Sequence, residues 1–161
     1  MRFVKVVLAL LLFASVSSAE ILSSLNRQDS EGAGVKELSE EYLAARLGIS
    51  VFGGKSFCAY ELLGTALKNG MYIKYIWVTS QEYYLDKGII KKGMEVSFPV
   101  ALTARRYCND LFITGLRYPS EKEGADAVFP EELIAGIKDS SIDTAKLDEE
   151  IQSKAREYFK R

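Results

Sequence analysis

Histidine is absent from all 161 residues of the chain. Its absence excludes Ser-His and Cys-His nucleophilic pairs, acid-base catalysis by imidazole, and the usual zinc and iron sites. Cysteine is nearly as scarce, and the two thiols, Cys58 and Cys108, are too few for a tetrahedral thiolate site. We therefore expect no metal ion and no cofactor, and carboxylates remain the only credible acid-base groups.

The chain also lacks an apolar run of the length that spans a bilayer, which takes about 20 residues. Residues 1–19 instead have the features of a signal peptide: basic Arg2 and Lys5, a short apolar run over 6–14, and small residues ending at Ala19. Cleavage before Glu20 predicts a secreted or periplasmic protein with no membrane span in the mature chain. An uncleaved anchor is the alternative.

The chain also has no excess of basic over acidic side chains. The chain has 21 Lys and Arg against 22 Asp and Glu, and removal of the signal peptide takes away two basic residues and no acidic ones. The mature chain is therefore mildly acidic. This balance argues against a nucleic acid or an anionic membrane as the main partner, because such partners normally require a basic surface.

The pattern of apolar residues predicts an α+β fold. Residues 20–34 are polar and contain glycines, which is typical of a flexible arm, and 35–161 predict a single domain. In this domain an N-terminal helix packs on a four-stranded antiparallel meander, followed by one short and one longer C-terminal helix. The predicted helices are 35–47, a short one from Pro130 and 143–159, and the predicted strands are 57–68, 71–85, 94–106 and 111–118.

The second strand is the longest, and the rest of the fold is arranged around it. It follows the hairpin signal Asn69-Gly70 and carries apolar residues on both of its faces. Such a strand is either covered on both sides, or covered on one side and used for binding on the other. Asp86 to Gly93 predicts a polar connection to the third strand, and Pro99 predicts a bulge or an edge position there.

The two cysteines lie far apart in this strand order. Cys58 opens the first strand at one end of the sheet, and Cys108 follows the third strand at the other end. About ten residues at roughly 3.3 Å each separate the two ends. An exported protein can form a disulfide, but we favour free thiols over a bridge.

A glycine loop, Gly53-Gly54-Lys55-Ser56, ends like a phosphate-binding loop. That motif needs a further glycine at the position of Ile49, and it connects a strand to a helix, whereas this loop follows a helix and precedes a strand. We interpret it as an ordinary glycine loop.

The central strand carries the most distinctive group of candidate site residues. Aromatic rings beside amide and carboxylate groups are a common means of binding a sugar, a peptide or a protein surface. Packing within the sheet is the alternative role for the same residues. The candidate ligand-binding residues are Tyr75, Trp77, Gln81, Glu82, Tyr83 and Tyr84.

Two stretches carry a resemblance to small exported bacterial proteins. The first runs from Tyr75-Ile76-Trp77 through Gln81-Glu82-Tyr83-Tyr84 to Gly88, and the second begins at Phe129-Pro130-Glu131-Glu132. The resemblance covers about 59–159 and implies no established activity. A helix followed by a four-stranded meander also resembles cystatin-like and nuclear-transport-factor-like domains, which serve as inhibitors, binding domains and occasional enzymes.

These features favour an exported, non-catalytic binding or interaction domain that uses an aromatic sheet face. Its expected partner is a protein, a peptide or a glycan. One alternative is a small carboxylate-dependent hydrolase or lyase that uses Glu82 or Glu61 with tyrosines. The other is an inhibitor or a dimerisation module, in which the sheet face forms a homodimer interface.

Overall fold

The computed structural model describes residues 33–107, 110–120, 122–138 and 142–160 and confirms the α+β class. A helix is followed by a four-stranded antiparallel sheet in the order β1-β2-β3-β4, and then by a 3-10 turn at Ala125–Ala127 and two helices. The predicted signal peptide, most of the predicted arm and Cys108 lie outside the described residues. The elements are α1 Ala33–Leu47, β1 Lys55–Lys68, β2 Met71–Asp86, β3 Ile89–Tyr107, β4 Asp110–Arg117, α2 Glu131–Lys138 and α3 Thr144–Phe159.

Two hairpins with two-residue turns connect the first three strands. Asn69 and Gly70 have φ of 54° and 73°, and Lys87 and Gly88 have φ of 52° and 79°. Two successive positive φ values are typical of the type I′ turn, whose twist matches that of the flanking strands. The predicted polar connection over 86–93 is therefore wrong, because β3 begins at Ile89, directly after the second turn.

A bulge in β1 shifts the register of the first hairpin. Lys68 pairs with Met71 and Gly64 with Tyr75, but Leu62 pairs with Ile76 because the extra residue lies between Leu62 and Gly64. Gly64 lies at this bulge, where a strand glycine is common. Pro99 pairs with β2 in a part of β3 that β4 does not reach, since the pairing of β3 with β4 begins at Ala101. The predicted edge position of Pro99 is confirmed.

Helix α1 covers one face of the sheet, which we call the α1 face. Leu43 lies fully buried against Ile76, Val78 and Val100. The helix ends at Leu47, as predicted, and the N–H of Gly48 donates to the Ala44 carbonyl oxygen at 3.0 Å.

The two C-terminal helices cover the opposite face, which we call the α2–α3 face. Leu147 and Ile151 of α3 pack on Phe57, Ala59 and Tyr83. Near α2, the ring of Phe129 contacts Tyr75 at 5.7 Å between centroids. The central strand is therefore covered on both sides, which accounts for apolar residues of both parities along it.

Lys154 of α3 links the two layers of helices around the free edge of β1. Its Nζ lies 2.6 Å from Glu40 Oε2 on α1, 3.1 Å from Glu150 Oε1, and 2.9 Å from the backbone carbonyl oxygen of Cys58. An outward-facing carbonyl of an edge strand is otherwise open to pairing with another chain. Lys154 therefore satisfies this carbonyl and holds α1 and α3 to β1.

Cys58 is a buried, free cysteine in β1. Burial raises the pKa of its thiol to about 11, although the nearby Ser80 side chain and the charge of Lys154 act in the opposite direction. The thiol is therefore protonated and unreactive at neutral pH.

None of the described helices is long and apolar enough to cross a membrane.

We expect Lys154→Met to destabilise the fold by about 2 kcal/mol, because the largely buried carboxylate of Glu40 loses its nearest cation. The measurement is urea unfolding followed by circular dichroism. The matched control is Lys92→Met, which removes the exposed pair of Lys92 and Asp148 at 3.6 Å and should cost less than about 1 kcal/mol. Equal losses in the two variants would contradict the role assigned to Lys154.

Candidate functional site

The carboxylate of Glu82 lies fully buried on the α1 face and is surrounded by hydrogen-bond donors. Its Oε1 accepts from the backbone N–H groups of Phe52 and Gly54, both at 2.9 Å, and from Ser50 Oγ at 3.0 Å. Its Oε2 accepts from the N–H of Val51 at 3.0 Å and from the N–H of Met94 at 3.4 Å. We call residues 50–54 the Glu82 loop, because this one side chain fixes its backbone.

Two glycines allow the backbone to approach the carboxylate this closely. A Cβ atom on Gly54 would lie 2.2 Å from the Tyr83 carbonyl oxygen, and one on Gly93 would lie 2.5 Å from Glu82 Oε2. Gly93 and Met94 form a bulge in β3, because two residues there face Glu82 alone. The amide nitrogen of Gln81 lies 3.0 Å and 3.1 Å from the carbonyl oxygens of Gly93 and Met94 and supports this bulge.

Hydrogen bonding keeps Glu82 ionised. Burial alone raises the pKa of the carboxyl group, but the donors from Gly54, Val51, Phe52 and Ser50 outweigh it and lower the pKa to about 2. A carboxylate that accepts several backbone N–H bonds is stabilised in its charged form. Glu82 is therefore a permanent internal anion at neutral pH.

The Glu82 loop contains the glycines of the segment that ends like a phosphate-binding loop. Gly53 has φ of 71°, and the N–H groups around it converge on an anion, as they do in loops that bind phosphate. Here the anion is the chain's own carboxylate. Because Glu82 occupies these donors, they are not available to a phosphate, which agrees with the interpretation as an ordinary glycine loop.

Apolar side chains project outward from this rigid backbone. Val51 is 60% exposed and Phe52 is 55% exposed, and the ring of Phe52 stacks on Tyr84 at 4.9 Å between centroids. Met94 is also exposed, and its N–H shares Glu82 with the loop. Ile89 pairs with Asp86 two positions beyond Tyr84, so it lies on the same face. We call this surface the apolar tip: Val51, Phe52, Tyr84, Ile89 and Met94.

The six predicted site residues do not form one exposed face. The side chains of Tyr75, Gln81, Glu82 and Tyr83 are buried. Burial raises the pKa of both buried tyrosines, so their hydroxyl groups stay protonated. Only Trp77 and Tyr84 are partly exposed, and they lie on opposite faces of the sheet.

On the α2–α3 face, Trp77 is the one predicted site residue that is partly exposed to solvent. Its Nε1 donates to Ser97 Oγ at 2.9 Å, and the same hydroxyl lies 2.9 Å from Thr79 Oγ1. The indole N–H is therefore already satisfied within the sheet. A ligand at Trp77 would meet the face of the ring rather than a free donor.

The two glutamates considered for catalysis do not form a pair. Glu61 pairs with Trp77, whereas Glu82 pairs with Ser56, five positions along β1 and on the opposite face of the sheet. Glu61 Oε2 accepts from the N–H of Asp143 at the start of α3 at 3.3 Å. The sheet itself therefore separates the two carboxylates.

Four residues of the apolar tip were not predicted as site residues from the sequence: Val51, Phe52, Ile89 and Met94. The loop signal at Gly53-Gly54 was visible, but the local pattern did not show that a strand glutamate accepts its N–H groups. A signal was nevertheless present. Val51 and Phe52 are large apolar residues in a segment read as loop, and two such residues cannot both be explained by turn chemistry.

Comparison with protein-family models, with curated proteins and with solved structures finds no match. Within the described residues, no group of acidic and cysteine side chains is arranged to hold a metal ion.

We expect the stability of the fold to depend on pH through Glu82. Its pKa of about 2 lies below the ordinary value of 4.5, so its contribution is complete above about pH 4.5 and is lost as pH falls toward 2. Glu82→Gln should be less stable than wild type at neutral pH, and its unfolding free energy should fall less between neutral pH and about pH 3.

Urea unfolding at the two pH values measures this difference, and Glu95→Gln is the control because Glu95 is an exposed glutamate on the neighbouring strand. An unchanged pH dependence in Glu82→Gln would show that Glu82 does not ionise as described.

Proposed function

We propose that the protein is an exported, non-catalytic interaction domain that engages its partner through the apolar tip. The observation that carries this proposal is the combination of two exposed apolar side chains, Val51 and Phe52, with a backbone that a buried carboxylate holds in place. Export rests on the predicted signal peptide over 1–19.

The Glu82 loop has the properties expected of a preorganised binding loop. An exposed apolar side chain gains free energy when a partner covers it, and a loop that is already ordered loses little conformational entropy on binding. A loop without function at this position could expose polar residues instead. Binding loops on rigid scaffolds are the common location of recognition residues.

The geometry gives less support to the enzyme alternative. A general acid needs a raised pKa and access to substrate, whereas Glu82 has a lowered pKa and is buried under its own loop. Glu61 cannot form a carboxylate pair with Glu82 of the kind used in glycoside hydrolysis, because the two lie on opposite faces of the sheet. On the α2–α3 face, Trp77 is the only candidate residue left to form an aromatic binding surface, because Tyr75, Gln81 and Tyr83 are buried.

The test is photocrosslinking in the cells that export the protein. A photoreactive phenylalanine analogue replaces Phe52, and the control places it at Phe112, which is exposed to a similar degree on β4. We expect adducts from position 52 at about ten times the yield from position 112, because only position 52 lies within the proposed contact. Changing Val51 and Ile89 to Ser should reduce the yield at position 52.

Equal yields at positions 52 and 112, or a yield at 52 that is indifferent to Val51 and Ile89, would refute the apolar tip as the binding surface.

A further inference from the structure

We propose that the apolar tip docks on an anionic lipid surface. This inference rests on the proposed function and names the partner of the same surface.

The first observation is the charge around the tip. The stretches around it, 42–60 and 83–94, contain five basic residues and one acidic residue, Asp86, and they are flanked by Glu41, Glu61, Glu82 and Glu95. All five basic side chains are exposed, and two of them form ion pairs, Lys91 with Asp86 and Lys92 with Asp148. The negative charge of Glu82 lies beneath the loop, where backbone donors stabilise it, and not at the surface. The five are Arg46, Lys55, Lys87, Lys91 and Lys92.

The C-terminal end of α3 adds to this basic end of the molecule. Tyr158 packs on Phe57 at 5.6 Å between ring centroids, and Lys55 Nζ lies 4.1 Å from the centre of the Tyr158 ring. The last turn of α3 is therefore beside the start of β1, next to the Glu82 loop. It brings the exposed residues Arg156, Glu157 and Lys160 to the same end, which adds one net positive charge.

The mild acidity of the whole chain predicts no membrane surface, but that average conceals an asymmetric distribution. Attraction to an anionic surface falls off within a Debye length, about 10 Å in ordinary salt, so the charges close to the contact decide it. A basic end on an otherwise acidic molecule also orients the protein, because the acidic remainder is repelled from the same surface.

The second observation is that apolar side chains emerge on both faces of the β2–β3 hairpin. Ile89 is 63% exposed on the α1 face, and Leu85 is 53% exposed on the opposite face, where its cross-strand partner Ile90 packs toward α3. A protein seated on one face of the hairpin would leave the other apolar side chain in water. Entry of the hairpin end into the interfacial layer of a bilayer covers both.

The positions of the lysines fit this orientation. Lys87 lies in the turn, and Lys91 and Lys92 follow on the two faces of β3. Long basic side chains can reach lipid phosphates while the apolar neighbours enter the acyl boundary. A second copy of the chain is disfavoured as the occupant, because a symmetric contact would bring two basic tips together.

The experiment is cosedimentation of the chain from Glu20 onward with vesicles of phosphatidylcholine and phosphatidylglycerol in equal parts, compared with vesicles of phosphatidylcholine alone. We expect binding to the anionic vesicles that weakens as salt is raised. Val51→Ser with Phe52→Ser, and separately Lys87→Gln with Lys91→Gln, should each lower the partition coefficient about tenfold. Circular dichroism checks that each variant is folded.

Matched controls lie at the opposite end of the sheet. Leu67→Ser with Phe112→Ser removes two side chains of similar exposure, and Lys68→Gln with Arg105→Gln removes two exposed charges. Both control variants should bind like wild type. Equal binding of tip and control variants, or no preference for anionic vesicles, would overturn the lipid inference.

The crosslinking result separates this failure from a failure of the proposed function. Protein adducts at position 52 without vesicle binding would show that the partner is a protein. That result would refute the lipid inference and support the proposed interaction domain. The absence of both vesicle binding and tip-specific adducts would refute both.

Discussion

The contact between the buried Glu82 carboxylate and the backbone of residues 50–54 is the constraint on which the candidate site depends. A charge removed from water must be compensated, and here three loop N–H groups, one hydroxyl and one N–H from β3 compensate it. The same bonds dictate the course of the loop. Because Val51 and Phe52 donate their N–H groups inward, their side chains point outward.

The remainder of the fold places Glu82 where it can act in this way. Helix α1 covers the middle of one sheet face and ends at Gly48, so the chain must cross the end of the sheet before β1 begins at Lys55. On the other face α3 is held by its apolar stripe and, through Lys154, to β1 and α1. The Glu82 loop thus rests on a sheet that is fixed from both sides.

Much of this architecture could be predicted from the sequence, because its signals are local. The alternation of apolar and polar residues predicted the strands, and the helical spacing of apolar residues predicted α1. Asn69-Gly70 predicted the first hairpin. The second hairpin was missed because lysine is an unusual residue at the positive φ that Lys87 adopts, and its turn reads as a polar connection. The site was missed for another reason. A glutamate in a strand has the same local pattern whether it faces water or accepts hydrogen bonds from a loop some 30 residues earlier.

Amide hydrogen exchange of the Glu82 loop, followed by NMR, tests the central claim most directly. Val51 and Phe52 lie in an exposed loop outside any helix or strand, so their N–H groups should exchange fast unless a side chain holds them. We predict slow exchange at Val51, Phe52 and Gly54 in the wild type and fast exchange at all three in Glu82→Gln, with the amides of β2 still protected. Fast exchange at these three amides in the wild type would contradict the account.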